Sequence, residues 1–172
     1  MNIILMGYMA SGKSIIGQKL AQILDWQFID LDEVIEEKES LSVTDIFNTK
    51  GEIFFRKVEN QCLSEVLINS NKSVIALGGG TPCYGNNINL ITKNNNVTSI
   101  YLSVGIAELT KRLFHDKANR PLVAHISNLD DMAEFVGKHL FERLSHYNQA
   151  DIVLNANSDV DTIVKTILLE LF

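Results

Sequence analysis

The sequence predicts an α/β fold: a three-layer α/β/α sandwich built around a five-stranded parallel sheet. Short apolar runs alternate with stretches of helical periodicity, as where 2–6 is followed by 13–25. Glycine-rich turns come directly after two of these runs, at 7–12 and 78–80. With 172 residues the chain forms one domain with a substantial core. Right-handed crossovers between parallel strands would place helices on both faces of the sheet.

The first half of the chain predicts three strands and four helical stretches. The apolar run 2–6 is a strand, and Ile15, Ile16, Leu20, Ile23 and Leu24 make the following helix, 13–25, amphipathic. A short strand around 28–29 precedes helical patterns at about 31–39, 43–48 and 52–69. Residues 73–77 form a buried strand because turn signals bound an apolar run.

The second half continues the alternation. A helix near 85–93 leads to a strand at 97–102, and helices follow at 105–114 and 128–147. The longer of these has the apolar stripe Val136, Leu140 and Leu144. A strand at 151–154 and a helix at 160–171 complete the pattern.

Composition narrows the class of protein. The net charge is −6 and no basic stripe is present, so we expect no nucleic-acid partner. Two cysteines do not make a disulfide framework, which favours a reduced, cytoplasmic protein. No apolar run has the length of a membrane span or the character of a signal peptide, so no membrane partner is expected. Without heptads or an extended apolar patch, we expect a monomer.

The stretch GYMASGKS at 7–14 has the spacing of a phosphate-binding loop. Gly7 and Gly12 permit backbone angles that turn successive N–H groups toward an anion, at the N-terminus of a helix. Lys13 would reach the β- and γ-phosphates, and the Ser14 hydroxyl would bind magnesium. The alternative is a glycine turn with a surface lysine, but the strand before and the helix after favour nucleotide binding.

Two carboxylates follow the second strand. Asp30 and Asp32 lie on the same side of an extended segment. One could hold a magnesium-bound water, and the other could accept a proton or a substrate hydroxyl. The alternative is that one of them only caps the following helix.

Glycines and two arginines mark further candidate positions. Three glycines at 78–80 would let the backbone approach a ligand, although a flexible loop is the alternative. Arg56 shares a helix face with Glu59, and Arg143 lies one turn from Tyr147. Both arginines are near the edges of apolar stripes, where a guanidinium could bind a carboxylate in a forked contact. The alternative for Arg56 is a surface ion pair of under about 1 kcal/mol.

The segment 111–121 collects four cations, as a lid over a nucleotide would need. They are Lys111, Arg112, Lys117 and Arg120, and Pro121 would stiffen the turn after them. The alternative is a solvated basic patch. The four histidines show no metal-ligand spacing, and we expect structural or surface roles for them.

Taken together, the chain resembles the shikimate kinases over essentially its whole length. The segments that carry the resemblance, in order, are GYMASGKS, FIDLD (28–32), IFFRKVE (53–59), ALGGGTP (76–82), NRPL (119–122) and ERLSHY (142–147). The resemblance implies a fold like that of nucleoside monophosphate kinases, with a substrate-binding helical region at about 31–60 and a lid at about 111–124. It implies transfer of phosphate from ATP to the 3-hydroxyl of shikimate, with Mg²⁺, on the route to chorismate and the aromatic amino acids.

The resemblance also assigns roles to matching positions. The nucleotide would be bound by Gly7, Ala10, Ser11, Gly12, Lys13, Ser14, Ile15, Arg112 and Arg120. Shikimate would be bound by Asp32, Arg56, Glu59, Gly79, Arg143, Phe47 and Phe55. Magnesium would be held by Ser14 directly and by Asp30 through water. Catalysis would rest on Asp32 as base, with Lys13 and Arg120 on the phosphates.

One departure is Ala10, where many family members have glycine, and we expect the methyl group to be tolerated. Two alternatives to shikimate phosphorylation remain. One is a kinase for another small polyol acid such as gluconate, or for a nucleoside monophosphate. The other is a non-catalytic ATP-binding module that switches a partner interaction.

Overall fold

Parallel strands form the centre of the fold in the computed structural model, which describes residues 1–120 and 122–172. The strands are β1 (Asn2–Met6), β2 (Gln27–Asp30), β3 (Ser73–Ala76), β4 (Val97–Ser103) and β5 (Ile152–Asn155). Within the described residues all five pair in parallel, in the order β2-β3-β1-β4-β5. In the register, Ile4 of β1 lies opposite Ile75 on one side and Ser99 on the other. This confirms the predicted parallel sheet.

Helices connect and cover the strands. They are α1 (Lys13–Leu24), α2 (Leu31–Glu39), α3 (Val43–Asn69), α4 (Asn87–Thr92), α5 (Ile106–Asp116), α6 (Leu129–Tyr147) and α7 (Val160–Leu171). Single 3₁₀ turns lie at Thr81–Cys83 and Lys117–Asn119. Helix α1 contacts β2, β3 and α7, while α2 packs on α3 and α5 packs on α6. The predicted α/β/α arrangement is therefore confirmed, with helix and strand ends that differ from the prediction by at most two residues.

The core lies between the sheet and its helices. Every residue of β1 and β3 is buried, as expected for strands covered on both faces. Helix α1 buries Ile16, Gly17, Leu20 and Ala21. The predicted apolar stripe of this helix is wrong at Ile15 and Ile23, which are 62% and 53% exposed. The stripe that faces the sheet consists of residues 16, 17, 20 and 21, which are spaced four apart. Ile15 and Ile23 lie beside this stripe.

Helix α3 is bent at one residue. It runs from Val43 to Asn69, but Gly51 has φ 83° and ψ 170°, which is not helical. The two helical stretches predicted at 43–48 and 52–69 are the two arms of this bent helix. The bend lets the second arm, which carries Arg56, take a different direction from the first.

The carboxyl ends of the strands meet at one edge of the sheet, where ligands bind in folds of this kind. The loop after β1, Asp30 at the end of β2 and the glycines after β3 all lie at this edge. Pro121, expected to stiffen the lid turn, lies outside the described residues. Over residues 1–120 and 122–172, no helix combines the length and the apolar character needed to cross a membrane.

Candidate active site

The loop between β1 and α1 has the backbone of an anion cradle. Gly7 and Gly12 have φ of 154° and 93°, angles that glycine tolerates best. A Cβ at Gly7 would lie 2.9 Å from the Leu102 carbonyl oxygen, so the loop also packs too tightly there for a side chain. Gly12 immediately precedes the first turn of α1, whose free N–H groups and dipole favour an anion.

Ala10 occupies the left-handed region in the same loop, with φ 62°. A non-glycine residue there costs about 1 kcal/mol. The structure nevertheless accommodates the Ala10 methyl group in this conformation. The loop accepts Ala10 at a cost in stability.

Lys13 is folded back onto the phosphate loop. Its Nζ donates to the carbonyl oxygens of Gly7 and Tyr8, each at 2.9 Å. Burial lowers the pKa of Lys13 to about 8, while the carboxylates of Asp32 and Asp30 act against the shift. A phosphate group would provide the ammonium with a charged partner that the two carbonyls do not supply.

Asp30 serves both as a helix cap and as a partner of the phosphate loop. Its Oδ1 accepts the backbone N–H of Asp32 at 3.0 Å, which caps α2. Its Oδ2 accepts the Ser14 hydroxyl at 2.9 Å. The capping alternative is thus correct for one oxygen, and the other oxygen faces the site.

The oxygens of Ser14 and Asp30 fit a hard divalent cation. Magnesium prefers oxygen ligands, keeps several waters and takes the remainder from substrate phosphates. Among the residues that the structure describes, no cluster of three or more His, Cys, Asp or Glu side chains is placed to hold a metal. A cation here would therefore be shared between the two side chains, water and a nucleotide.

The carboxylate of Asp32 lies against the glycine loop. A Cβ at Gly78 would lie 2.9 Å from Asp32 Oδ1, so the missing side chain makes room for this carboxylate. Burial raises the pKa of Asp32 to about 6, with the negative charges of Asp30 and Glu59 adding to the shift. Lys13 opposes it. A carboxylate with a raised pKa at a cleft is a candidate proton acceptor.

Arg56 is held by a buried carboxylate. Its Nη1 donates to Glu59 Oε2 at 2.9 Å, and Glu59 Oε1 accepts the Thr81 hydroxyl at 2.7 Å. Glu59 is only 1% exposed, so the alternative of a surface ion pair does not describe this contact. A buried charge of this kind needs its partner, and the pair fixes the orientation of the guanidinium.

Aromatic rings surround the Arg56 guanidinium. The Phe47 and Phe55 rings are 4.5 Å apart, and Arg56 Cζ lies 5.8 and 5.1 Å from their centroids. The Tyr84 ring is closer still, at 3.8 Å. Sequence reasoning missed Tyr84, because nothing in its local pattern distinguishes it from any tyrosine in a turn.

Arg143 reaches the same region from α6. Its Cζ lies 5.9 Å from the Tyr8 ring. One turn further along, the Tyr147 hydroxyl donates to the Gly79 carbonyl oxygen at 2.5 Å, which ties α6 to the glycine loop. Burial raises the pKa of the Cys83 thiol, and the charges of Arg143 and Arg56 both act against that shift. Both guanidinium groups therefore lie within electrostatic reach of Cys83, in the turn that follows the glycine loop.

His139 makes a structural contact next to Arg143. The Tyr8 hydroxyl and His139 Nδ1 lie 2.9 Å apart, and the His139 ring also packs on Phe135. Burial, with the charge of Arg143, lowers the pKa of His139. This contact anchors α6 to the phosphate loop and agrees with a structural role.

The cations of the 111–120 segment divide into two groups. Arg112 donates from Nε to Glu108 at 2.7 Å and from Nη1 to the Ala10 carbonyl at 3.2 Å. Arg120 pairs with Asp116 at 3.0 Å. Lys117 instead donates to the Ile126 carbonyl at 2.9 Å and packs on Phe114. Only the two arginines face the phosphate loop.

A cavity of about 630 Å³ joins the nucleotide-side residues. Of the residues assigned to nucleotide and metal, it is lined by Ala10, Ser11, Gly12, Lys13, Ser14, Ile15, Asp30, Arg112 and Arg120. Asp32 and Gly79 also line it, whereas Arg56, Glu59, Arg143, Phe47 and Phe55 lie outside it. The site is thus divided into two halves that meet at Asp32 and Gly79.

Sequence reasoning missed one wall of this cavity. Ser158, Asp159, Val160 and Ile163 line it from the loop after β5 and the start of α7. Their position after a strand was the available signal, because ligands gather at the carboxyl ends of parallel strands. The loop has no glycine or charge pattern that would have drawn attention to it.

Known proteins share both this fold and this sequence. The sequence model of the family "Shikimate kinase" matches residues 9–172. A shikimate kinase of Flavobacterium johnsoniae is 44% identical over 167 residues, covering 96% of each chain. One of Flavobacterium psychrophilum is 42% identical and covers 94% of each chain.

Solved structures agree. A shikimate kinase from Bacteroides thetaiotaomicron superposes with a TM-score of 0.90 at 32% identity, covering 99% of this chain and 97% of that one. The Acinetobacter baumannii enzyme in complex with shikimate gives a TM-score of 0.84 at 28% identity, covering 99% and 92%. A gluconokinase from Sinorhizobium meliloti, at 15% identity and a TM-score of 0.55, shares the fold alone. The chain belongs to the shikimate kinase family.

Proposed function

We propose that this chain is an ATP-dependent kinase that phosphorylates the 3-hydroxyl of shikimate, yielding shikimate 3-phosphate and ADP. This reaction would serve the route to chorismate and the aromatic amino acids. One observation carries the proposal beyond family membership. Asp32 and Gly79 join a phosphate-loop cavity to a region with two arginines, one of which is oriented by a buried glutamate.

The nucleotide half would bind the phosphates of ATP. Backbone N–H groups of the loop and the start of α1 would surround the β-phosphate, and Lys13 would turn from its carbonyl partners to the phosphates. Ser14 and Asp30 would hold Mg²⁺. The ion, when bound, offsets charge on the phosphate oxygens. Arg112 and the wall at 158–160 would border the rest of the nucleotide.

The acceptor half would bind shikimate through its carboxylate. The charges of Arg56 and Arg143 both act on Cys83, and a guanidinium matches a carboxylate in a two-point contact. Phe47 and Phe55 would line the carbocyclic ring, while the Gly79 backbone would contact a hydroxyl. Asp32 would accept hydrogen bonds from the hydroxyls at the junction with the nucleotide half.

Catalysis would rest on placement and charge more than on a strong base. Phosphoryl transfer has a loose transition state, so aligning the hydroxyl with the γ-phosphate supplies much of the rate. Asp32 would take the hydroxyl proton, and its raised pKa suits that task near neutral pH. Lys13 and Arg120 would stabilise charge on the transferring group, with residues 111–124 acting as a lid that excludes water.

Further proposals concern the protein as a whole. We propose one domain over 1–172, with the acceptor-binding region at about 31–60. We also propose a monomer as the working unit, because the sequence shows neither heptads nor an extended apolar patch. The free thiols of Cys62 and Cys83 are consistent with a cytoplasmic protein.

A coupled ADP-release assay tests the proposed reaction. The purified chain would be incubated with ATP and Mg²⁺ alone, and then with shikimate, quinate or gluconate. We expect rapid ADP release only with shikimate. Faster release with gluconate would instead support a kinase for another polyol acid, and no release with any acceptor, despite ATP binding, would support a nucleotide-binding module.

A further inference from the structure

The Tyr84 ring stacks on the guanidinium of Arg56. The distance from Arg56 Cζ to the Tyr84 ring centroid is 3.8 Å, against 5.1 Å for Phe55 and 5.8 Å for Phe47. At 3.8 Å a planar cation and a ring are in van der Waals contact, and the attraction of cation and ring is strongest there. Tyr84 is therefore the main aromatic partner of this arginine.

The nitrogens of the same guanidinium have different neighbours. Nη1 donates to Glu59 at 2.9 Å, and Nε lies 3.5 Å from Glu52. A Cβ at Gly80 would lie 2.9 Å from Nη2 and 3.1 Å from Nη1, that is, in front of the fork between the two terminal nitrogens. Because Gly80 has no Cβ, the glycine loop places no side chain against this edge. It is one of the two edges at which a guanidinium can make a two-point contact with a carboxylate, and the other edge, at Nε, lies near Glu52.

The backbone that carries Tyr84 is tied to the same glutamate that holds Arg56. The Thr81 hydroxyl donates to Glu59, and the Asn87 side-chain amide donates to the Thr81 carbonyl at 2.9 Å. The Asn60 amide in turn donates to Asn87 Oδ1 at 2.6 Å. Thr81 and Asn87 are buried. Ring and carboxylate thus come from one hydrogen-bonded unit and restrain the guanidinium from two directions.

We propose that Tyr84 is a positioning residue for the acceptor: its ring sets the plane of the Arg56 guanidinium, and so the direction in which the guanidinium meets the substrate carboxylate. This inference rests on the proposed role of Arg56 in binding the carboxylate of shikimate. An arginine side chain has many rotamers, and holding one of them before binding removes part of the entropy cost of the contact. Glu59 alone restrains one nitrogen and leaves the plane free to turn.

The test compares two substitutions of Tyr84 by steady-state kinetics. In Tyr84→Ala the ring is lost, and we expect the KM for shikimate to rise about tenfold while the KM for ATP stays unchanged. Tyr84→Phe keeps the ring and should restore the KM to within about twofold of the original. An unchanged KM for shikimate in Tyr84→Ala overturns the proposal, as does a Phe variant as impaired as the Ala variant.

Two controls exclude a general effect on the fold. Phe54 lies in the same arm of α3 as Arg56, and its ring centroid lies 4.6 Å from Lys50 Nζ at the surface. Phe54→Ala removes that ring and should leave the KM for shikimate unchanged. Tyr84→Leu fills the space without a π face. If the Ala variant is poorly folded, the Leu variant should still show the raised KM with a melting temperature near that of the original protein. Equal increases in KM for shikimate and ATP in the Leu variant would overturn the proposal.

A double-mutant cycle separates this inference from the function on which it rests. Arg56→Lys should raise the KM for shikimate strongly, because an ammonium cannot make the forked contact. Tyr84→Ala in that background should add little, since the group that it positions is gone. If Arg56→Lys leaves the KM unchanged, the proposed role of Arg56 fails and the inference fails with it. If Arg56→Lys raises the KM and Tyr84→Ala adds its full effect to it, only the inference about Tyr84 fails.

Discussion

Ala10 combines a side chain with a backbone angle that favours glycine. Its φ of 62° lies in the left-handed region, where a Cβ crowds the following carbonyl group. We predict that Ala10→Gly stabilises the unligated protein by roughly 0.5–1 kcal/mol, because relief of strain exceeds the added entropy of the unfolded chain. Urea unfolding followed by circular dichroism measures the change.

Ala107→Gly is the matched control for that substitution. Ala107 is exposed in the first turn of α5, where the backbone is helical. Glycine should lower stability there by roughly 0.5–1 kcal/mol, the opposite sign. Loss of stability in both variants would show that the left-handed angle at Ala10 carries no net strain.

Ionisation of Asp32 at neutral pH lowers the stability of the unligated protein. Its pKa is raised to about 6, so the folded state binds the proton more tightly than the unfolded chain does. The stability associated with this group is present at low pH and is lost as the pH rises from about 4 through 6. We predict that Asp32→Asn, without Mg²⁺, raises the free energy of unfolding at pH 7 by roughly 2 kcal/mol, and much less at pH 4.

Urea titrations at the two pH values test this sign. Asp130→Asn, in the exposed first turn of α6, is the control and should give no such gain at pH 7. The Asp32 variant should also lose most of its turnover with shikimate. If the Asp32 variant is instead less stable than the original protein at pH 7, the ionised carboxylate stabilises the fold and the predicted sign is wrong.

At the scale of elements, the bend in α3 places the residues that we propose to bind the acceptor. Gly51 has φ 83° and ψ 170°, a combination that is essentially restricted to glycine, and a Cβ there would meet nothing within 4 Å. Any cost of Gly51→Ala is therefore a backbone cost. We predict a loss of about 1–3 kcal/mol in the free energy of unfolding.

Gly85 offers a comparison in which only the backbone angle differs. It has φ 57°, and a Cβ there would also meet nothing within 4 Å. Because that angle is accessible to alanine at about 1 kcal/mol, Gly85→Ala should cost less than Gly51→Ala. Chemical unfolding of both variants measures which substitution lowers the free energy of unfolding more. A smaller loss for Gly51→Ala than for Gly85→Ala would show that the backbone angle at the bend does not require glycine.

Helix α6 acts as a second positioning element. Its Tyr147 binds the Gly79 carbonyl, its His139 lies against Tyr8, and Arg143 lies between them on the same face. Two anchors on either side restrict where the Arg143 side chain can go. The sequence indicated this helix and its apolar stripe, but the anchors join residues 68 and 131 positions apart. No local pattern could have paired them.

At the scale of the whole molecule, the parallel sheet brings distant motifs to one edge. The phosphate loop, Asp30 and the glycine triplet follow β1, β2 and β3, which are neighbours in the sheet. The sequence predicted this convergence, since every motif came directly after an apolar run. The sequence did not indicate the strand order. The loop after β5, which forms a wall of the same cavity, follows a strand but carries no motif that marks it.

Residues whose side chains have no distinctive chemistry or spacing could not be predicted from the sequence. Lys13, Ser14 and Asp30 were predicted as candidates because their chemistry and spacing are specific. Tyr84 and Thr81 were missed because their roles depend on how the chain turns after β3. Such supporting residues become visible only when the packing around a charged group is known.

The central claim is that one cleft holds the phosphate donor on the loop at 7–14 and the acceptor carboxylate on Arg56 and Arg143. A crystal structure of the chain with ADP, Mg²⁺ and shikimate tests it most directly. We predict the diphosphate at Lys13, the carboxylate in contact with both arginines, and a shikimate hydroxyl within hydrogen-bond distance of Asp32. Shikimate bound with its carboxylate away from both arginines would contradict the claim.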